Sequence, residues 1–145
     1  MLALAHLLLA VHAQLLTYNK ATAGPISFCG SYSAFTPDQV VLAPDPPRQQ
    51  HPLEVYVSGS LSRNVTTGAK ARITVKLGFI QLLDATYDAC DQMKQVDLAC
   101  PLGQGRVEMR HTWDIPAVPP GHYRAHVVVS DELGEIACID ADLHL

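Results

Sequence analysis

"GAKARITVKLG", residues 68–78, decides the fold class. Ala69, Ala71, Ile73, Val75 and Leu77 recur at every second position, with Lys70, Arg72, Thr74 and Lys76 between them. Side chains alternate faces along a strand, whereas an amphipathic helix repeats its apolar positions every three to four residues. The stretch therefore reads as a half-buried strand with one greasy and one cationic face, bounded by glycine turns. Upstream, "PLEVYVSGSL" (residues 52–61) sets Leu53, Val55, Val57 and Leu61 against Glu54, Tyr56, Ser58 and Ser60. Downstream, "RVEMRHTWDI" (106–115) aligns Val107, Met109, His111, Trp113 and Ile115. "DQVVLAP" (38–44), "FIQLLDATYD" (79–88), "HYRAHVVVS" (122–130) and "EIACIDADLHL" (135–145) bring the count to about seven short strands. The separators "PDPP", "TTGA", "PLGQG", "VPPGH" and "DELGE" are turn chemistry, and no helix is expected beyond the amino-terminal leader. The pattern predicts an all-β fold, an immunoglobulin-like two-sheet antiparallel β-sandwich.

A length of 145 residues, 48% of them hydrophobic, suits one domain with a real core. The formal charge of −4 is mild and the ten Lys and Arg are scattered, which leaves no nucleic-acid footprint and no polybasic membrane patch. Met1 to Leu16 carries no formal charge and is dominated by Leu and Ala. At about 1.5 Å per residue it is too short to cross roughly 30 Å of hydrocarbon, and it reads as the apolar part of a signal peptide over residues 1–23. Small residues permit cleavage after Ala13 or as far along as Ala23, so the folded domain is expected over residues 24–145. On that secretory route Asn64, in "NVT", becomes an N-glycosylation acceptor.

Cys29, Cys90, Cys100 and Cys138 are even in number, which in an oxidising compartment implies two disulfides. Structural zinc favours ligands two to four residues apart, whereas nine residues separate the closest pair here. There is no Cys-x-x-Cys, and neither a metal nor a cofactor is expected. Of the three possible pairings, the local Cys90–Cys100 with Cys29 tied to Cys138 is the one chosen. A true immunoglobulin domain pins its sheets with a buried cystine against a tryptophan. Here Cys90 and Cys100 bracket a loop and Trp113 follows both, so the sandwich closes without a central pin.

The succession "FCG", "APDPP", "LEVYVSGSL", "ITVKLGFIQLL", "TYDAC", "ACP", "DIPAVPPGHY" and "IACIDADL" resembles the ML lipid-recognition domain. Within that family it is most similar to the fungal phosphatidylglycerol/phosphatidylinositol transfer proteins, relatives of the lysosomal cholesterol carrier defective in Niemann-Pick type C disease. The resemblance runs from about Ile26 to Leu145. It implies two sheets splayed around an apolar cavity, the disulfide pairing above, and a monomeric carrier of a phospholipid or a sterol that makes transient contact with membrane surfaces. Sterol-carrying relatives often have a further cysteine pair where Gly30 to Pro52 has none, so a general lipid carrier is implied ahead of a sterol-specific one. The implied compartment is extracellular or the vacuolar or lysosomal lumen. The expected lipid-binding residues are Val57, Ile73, Val75, Leu77, Phe79, Leu82, Met109, Trp113, Ile115 and Val118, with "DIPAVPPG" at the cavity rim. Alternating apolar residues are equally the ordinary core of a solid sandwich, and sequence alone leaves that alternative open.

No enzyme is expected. Ser58, His111 and Asp114 can be written as a triad, but Ser58 has no nucleophile-elbow glycines around it. Asp84, Asp88 and Asp91 lack the glycine and final glutamate of a calcium loop. The competing class is a secreted immunoglobulin-like module with a solid core and a protein partner.

Overall fold

A computed structural model describes residues 24–145, so the leader and its cleavage positions lie outside the described residues. The strands are β1 (Ile26–Phe28), β2 (Phe35–Ala43), β3 (Pro52–Leu61), β4 (Lys70–Leu77), β5 (Ile80–Asp88), β6 (Gly105–Asp114), β7 (His122–Asp131) and β8 (Gly134–His144). All pairings are antiparallel, in a five-stranded sheet ordered β1-β8-β7-β4-β5 and a three-stranded sheet ordered β2-β3-β6. The alternation of residues 68–78 becomes β4, with Ala71, Ile73 and Val75 opposite Val129, Val127 and Ala125 of β7. Its polar face pairs too: Arg72 reaches Asp84 of β5 at 2.9 Å and Lys70 reaches Asp88 at 3.9 Å.

Two elements depart from the sequence expectation. The three-residue β1 was not foreseen, because it is too short to display a period. A helix, α1 (Ala89–Lys94), forms inside the segment that reads as a polar loop. Asp88 caps it by accepting a hydrogen bond from the Asp91 amide at 3.1 Å. Six residues are too few for a helical repeat to show in the sequence.

The buried core lies towards one end of the sandwich, where Leu61, Val65, Ala69, Ala71, Ala89 and Ile136 meet. An ion pair joins the sheets at the same end. Arg63, just past β3, donates to Asp131 at 2.6 and 2.9 Å, and Asp131 also accepts from the Leu133 amide at 2.9 Å. The Arg63 hydrogen bonds hold the Asp131 carboxyl below the usual carboxylate range. A lowered folded pKa supplies stability that is present above the ordinary value of about 3.9 and is lost as pH falls through the folded value. Asp131→Asn is therefore expected to cost about 1–3 kcal/mol near neutral pH. The gap from the wild type should close as pH drops below the carboxylate range, as urea unfolding across a pH series will show.

Candidate ligand cavity

The strand registers define which side chains face the interior. Across the smaller sheet Leu53, Val55, Val57 and Gly59 stand opposite Trp113, His111, Met109 and Val107. In a filled sandwich such inward positions are buried at crystal-like density. Away from the core end, however, Ile73, Val75, Leu77, Met109 and Val127 all point inward and all remain only half-buried. Among the described residues, the largest side chains below 2% exposure are Val65 and Ser58. Side chains do not fill the space between the sheets.

Beside the core cluster this space becomes an apolar cavity of about 170 Å³. Val57, Val107, Met109, Val129, Ile136 and Ala137 supply the sheet walls. The end wall is Met93, Val96, Leu98 and Leu102, carried by α1 and the loop after it. Two covalent and backbone ties hold that wall. Cys90–Cys100 closes the segment, and Val65 and Leu102 exchange backbone hydrogen bonds at 2.8 Å in both directions. Gly59 has a packing reason to be glycine: a Cβ there would lie 2.6 Å from the Phe35 ring, which also lines the cavity.

Val57 and Met109 are the expected lipid-binding residues that the structure brings together here. Ile73, Val75 and Leu77 face the interior farther along β4. A bulge between Val75 and Lys76 places Leu83 opposite Val75, so Leu83 takes the inward position and Leu82 is 52% exposed. Phe79 sits at the tip of the Gly78–Phe79 turn, fully in solvent, where Gly78 adopts the positive φ of 57°. Trp113 is 40% exposed and meets His111 edge-on at 4.5 Å. Ile115 and Val118 lie beyond that same end of β6, bound to the β2–β3 loop through His51, Gln50 and Gln49. The "DIPAVPPG" segment is thus at the end of the sandwich opposite the stapled wall. Sequence reasoning missed Val107, Val129 and Ile136 on the sheets and the whole end wall of Met93, Val96, Leu98 and Leu102, although apolar residues inside a short polar loop are the signal that marks that wall.

The rejected chemistries have geometric reasons as well. Ser58 pairs with Glu108 and His111 with Val55, which puts Ser58 and His111 on opposite faces of one sheet. Asp84 is engaged by Arg72, Asp88 caps α1, and Asp91 lies 3.5 Å from Lys94. A larger groove of about 570 Å³ runs over the outer face of the five-stranded sheet. Lys76, Arg124, His126 and Asp140 among its lining make it unsuited to an acyl chain.

The family profile described as the ML domain matches residues 23–145. A phosphatidylglycerol/phosphatidylinositol transfer protein of Aspergillus fumigatus is 36% identical over 132 residues, covering 88% of this chain and 75% of the relative. Among solved structures, a Niemann-Pick type C2 protein from the Japanese carpenter ant superposes with a TM-score of 0.60 at 16% identity, over 82% of this chain and 97% of the other. Chicken MD-1, crystallised with lipid IVa, superposes at 0.57 and 12%, over 86% and 94%. Both structures share the fold.

Proposed function

The chain belongs to the ML domain family, and from that premise we propose that it carries one phospholipid of the phosphatidylglycerol/phosphatidylinositol class, or a sterol, between membranes without covalent chemistry. The observation that carries this reading is the unfilled, apolar cavity behind a stapled wall. Each methylene moved from water into such a space gains about 0.8 kcal/mol, so one acyl chain binds well with no charged contact. Met93 and Met109, unbranched and polarisable, adapt to the ligand's shape. The cavity of about 170 Å³ is smaller than the 300–1,000 Å³ of ordinary ligand pockets. Loading therefore proceeds by spreading the sheets along the half-buried inward residues Ile73, Val75 and Val127.

Phe79, Ile80, Leu82 and Trp113 expose apolar surface at the end of the sandwich away from the stapled wall. Phe79, Ile80 and Leu82 fall within four residues of one hairpin, a denser apolar patch than the separate Tyr32 and Leu133 exposed at the core end, and this favours the hairpin end as the surface presented to a bilayer. Arg72 and Lys70 are neutralised by Asp84 and Asp88, so of the cationic face of β4 only Lys76 has charge left for that contact. Two disulfides fit an oxidising compartment, and the reading includes removal of residues 1–23, release to the cell exterior or a vacuolar lumen, and a glycan on Asn64. Asn64 is exposed in the β3–β4 loop, where its Oδ1 accepts from the Gln104 amide at 2.7 Å.

Native mass spectrometry of the protein from its own host, followed by organic extraction, tests the function. A one-to-one lipid adduct is expected, and its mass chooses between phospholipid and sterol. A lipid-free protein that also takes up neither class from vesicles would overturn the carrier reading and favour a solid-core binding module.

A further inference from the structure

The beginning of β7 and the end of β8 bring a second cluster together on the outer face. His122 and His144 are directly opposed across the ladder, and Arg124 opposes Asp142. The two imidazole rings stack at 4.3 Å between centroids, only 7° from parallel. His122 Nε2 is also in contact with Asp142 Oδ1. One ligand atom from each of His122, Asp142 and His144 lies within 4.8 Å of the other two.

We infer that His122, Asp142 and His144 form a binding site for one divalent d-block cation of the zinc, nickel or copper type. Bonds of 2.0–2.1 Å in a tetrahedral shell require ligand atoms about 3.3 Å apart, so to bind one ion the two imidazoles must swing out of their parallel stack until their ring nitrogens converge beside Asp142. Two neutral imidazoles and one carboxylate match borderline cations, whereas calcium and magnesium demand oxygen shells. Water supplies the fourth position. The scaffold is rigid, because Gly121 and Leu145 exchange backbone hydrogen bonds at 2.9 and 3.0 Å, and the His122 carbonyl accepts from Gly78 at 3.1 Å. Arg124, opposed to Asp142 and to Lys76, places positive charge nearby and moderates the affinity. A bound ion would tie the carboxy-terminal strand to the base of the β6–β7 loop. The one other grouping of this kind among the described residues, Cys29, His126 and Cys138, offers no thiolate because its cysteines are joined.

Zinc titration of the untagged chain by calorimetry, paired with thermal unfolding, tests this site. One zinc per chain and a raised Tm are expected for the wild type and for the control His126→Gln. Both effects should be lost in His122→Gln and in His144→Gln, with far-UV circular dichroism unchanged. Asp142→Asn serves as a third variant should either histidine variant fail to fold. Absence of saturable zinc binding in the wild type, or its retention in a folded His122 or His144 variant, would overturn the assignment.

Discussion

Replacing Cys29 and Cys138 together by serine is expected to lower unfolding free energy by about 4–5 kcal/mol. The bond closes a loop spanning a sequence separation of 109, whereas Cys90–Cys100 spans only 10. In the chain-entropy account, the longer closure removes more freedom from the unfolded chain, and the shorter one contributes a little under about 3 kcal/mol. The folded side reinforces the difference. Cys29 directly follows the three-residue β1, whose pairing partner is β8, and its amide donates to the Cys138 carbonyl at 3.0 Å. A domain typically holds only about 5–15 kcal/mol in reserve, and one with an unfilled interior has less dispersion energy to draw on. Equilibrium unfolding in urea compares the two double variants. If loss of Cys90–Cys100 proves the more damaging, the end wall it holds is the main source of stability, and the entropic ordering of the two bonds does not hold.

The fold was legible because strand alternation is local. Each of β2 to β8 carries its own apolar face within about ten residues, and the turn residues between them are chemically distinct. The two disulfides form as chosen from the sequence, and the resemblance implied the same pairing. Little of the cavity was legible: of its lining only Val57 and Met109 were expected. Val57 and Met109 belong to strands whose faces can be assigned by parity. Met93, Val96, Leu98 and Leu102 belong to a helix and loop with no period, and their burial comes from partners far along the chain. Leu82 and Leu83 show the finer limit. The sequence does not show the bulge beside Lys76, which leaves Leu82 without a partner on β4 and sets Leu83 opposite the inward Val75. Phe79 and Trp113 were grouped with the lining on hydrophobicity, which does not distinguish a cavity wall from an apolar side chain presented to solvent, whereas Ile115 and Val118 of the rim segment are half-buried at the far end of the sandwich.

Filling the cavity separates a hollow sandwich from a solid one. Val57 and Val107 lie on neighbouring strands and both line the cavity with Met109. Phenylalanine at both positions adds two rings without a polar atom, whereas tryptophan would introduce an N–H that the dry lining could not satisfy. In a close-packed core such overpacking costs about 1–3 kcal/mol per site, because neighbours are forced from their rotamers. Here the rings enter space that no side chain occupies, and covering Leu61, Met93 and Val129 recovers dispersion contacts that the cavity forfeits. The Val57→Phe/Val107→Phe variant is therefore expected to keep or raise its urea midpoint while uptake of fluorescent phosphatidylglycerol falls by about tenfold or more, equivalent to at least 1.4 kcal/mol of lost binding. A lowered midpoint with undiminished uptake would mean that these walls are already in contact and that the lipid lodges elsewhere. Loss of uptake together with a preserved midpoint is the outcome that a space both empty of side chains and used by the lipid requires, and a close-packed core does not give it.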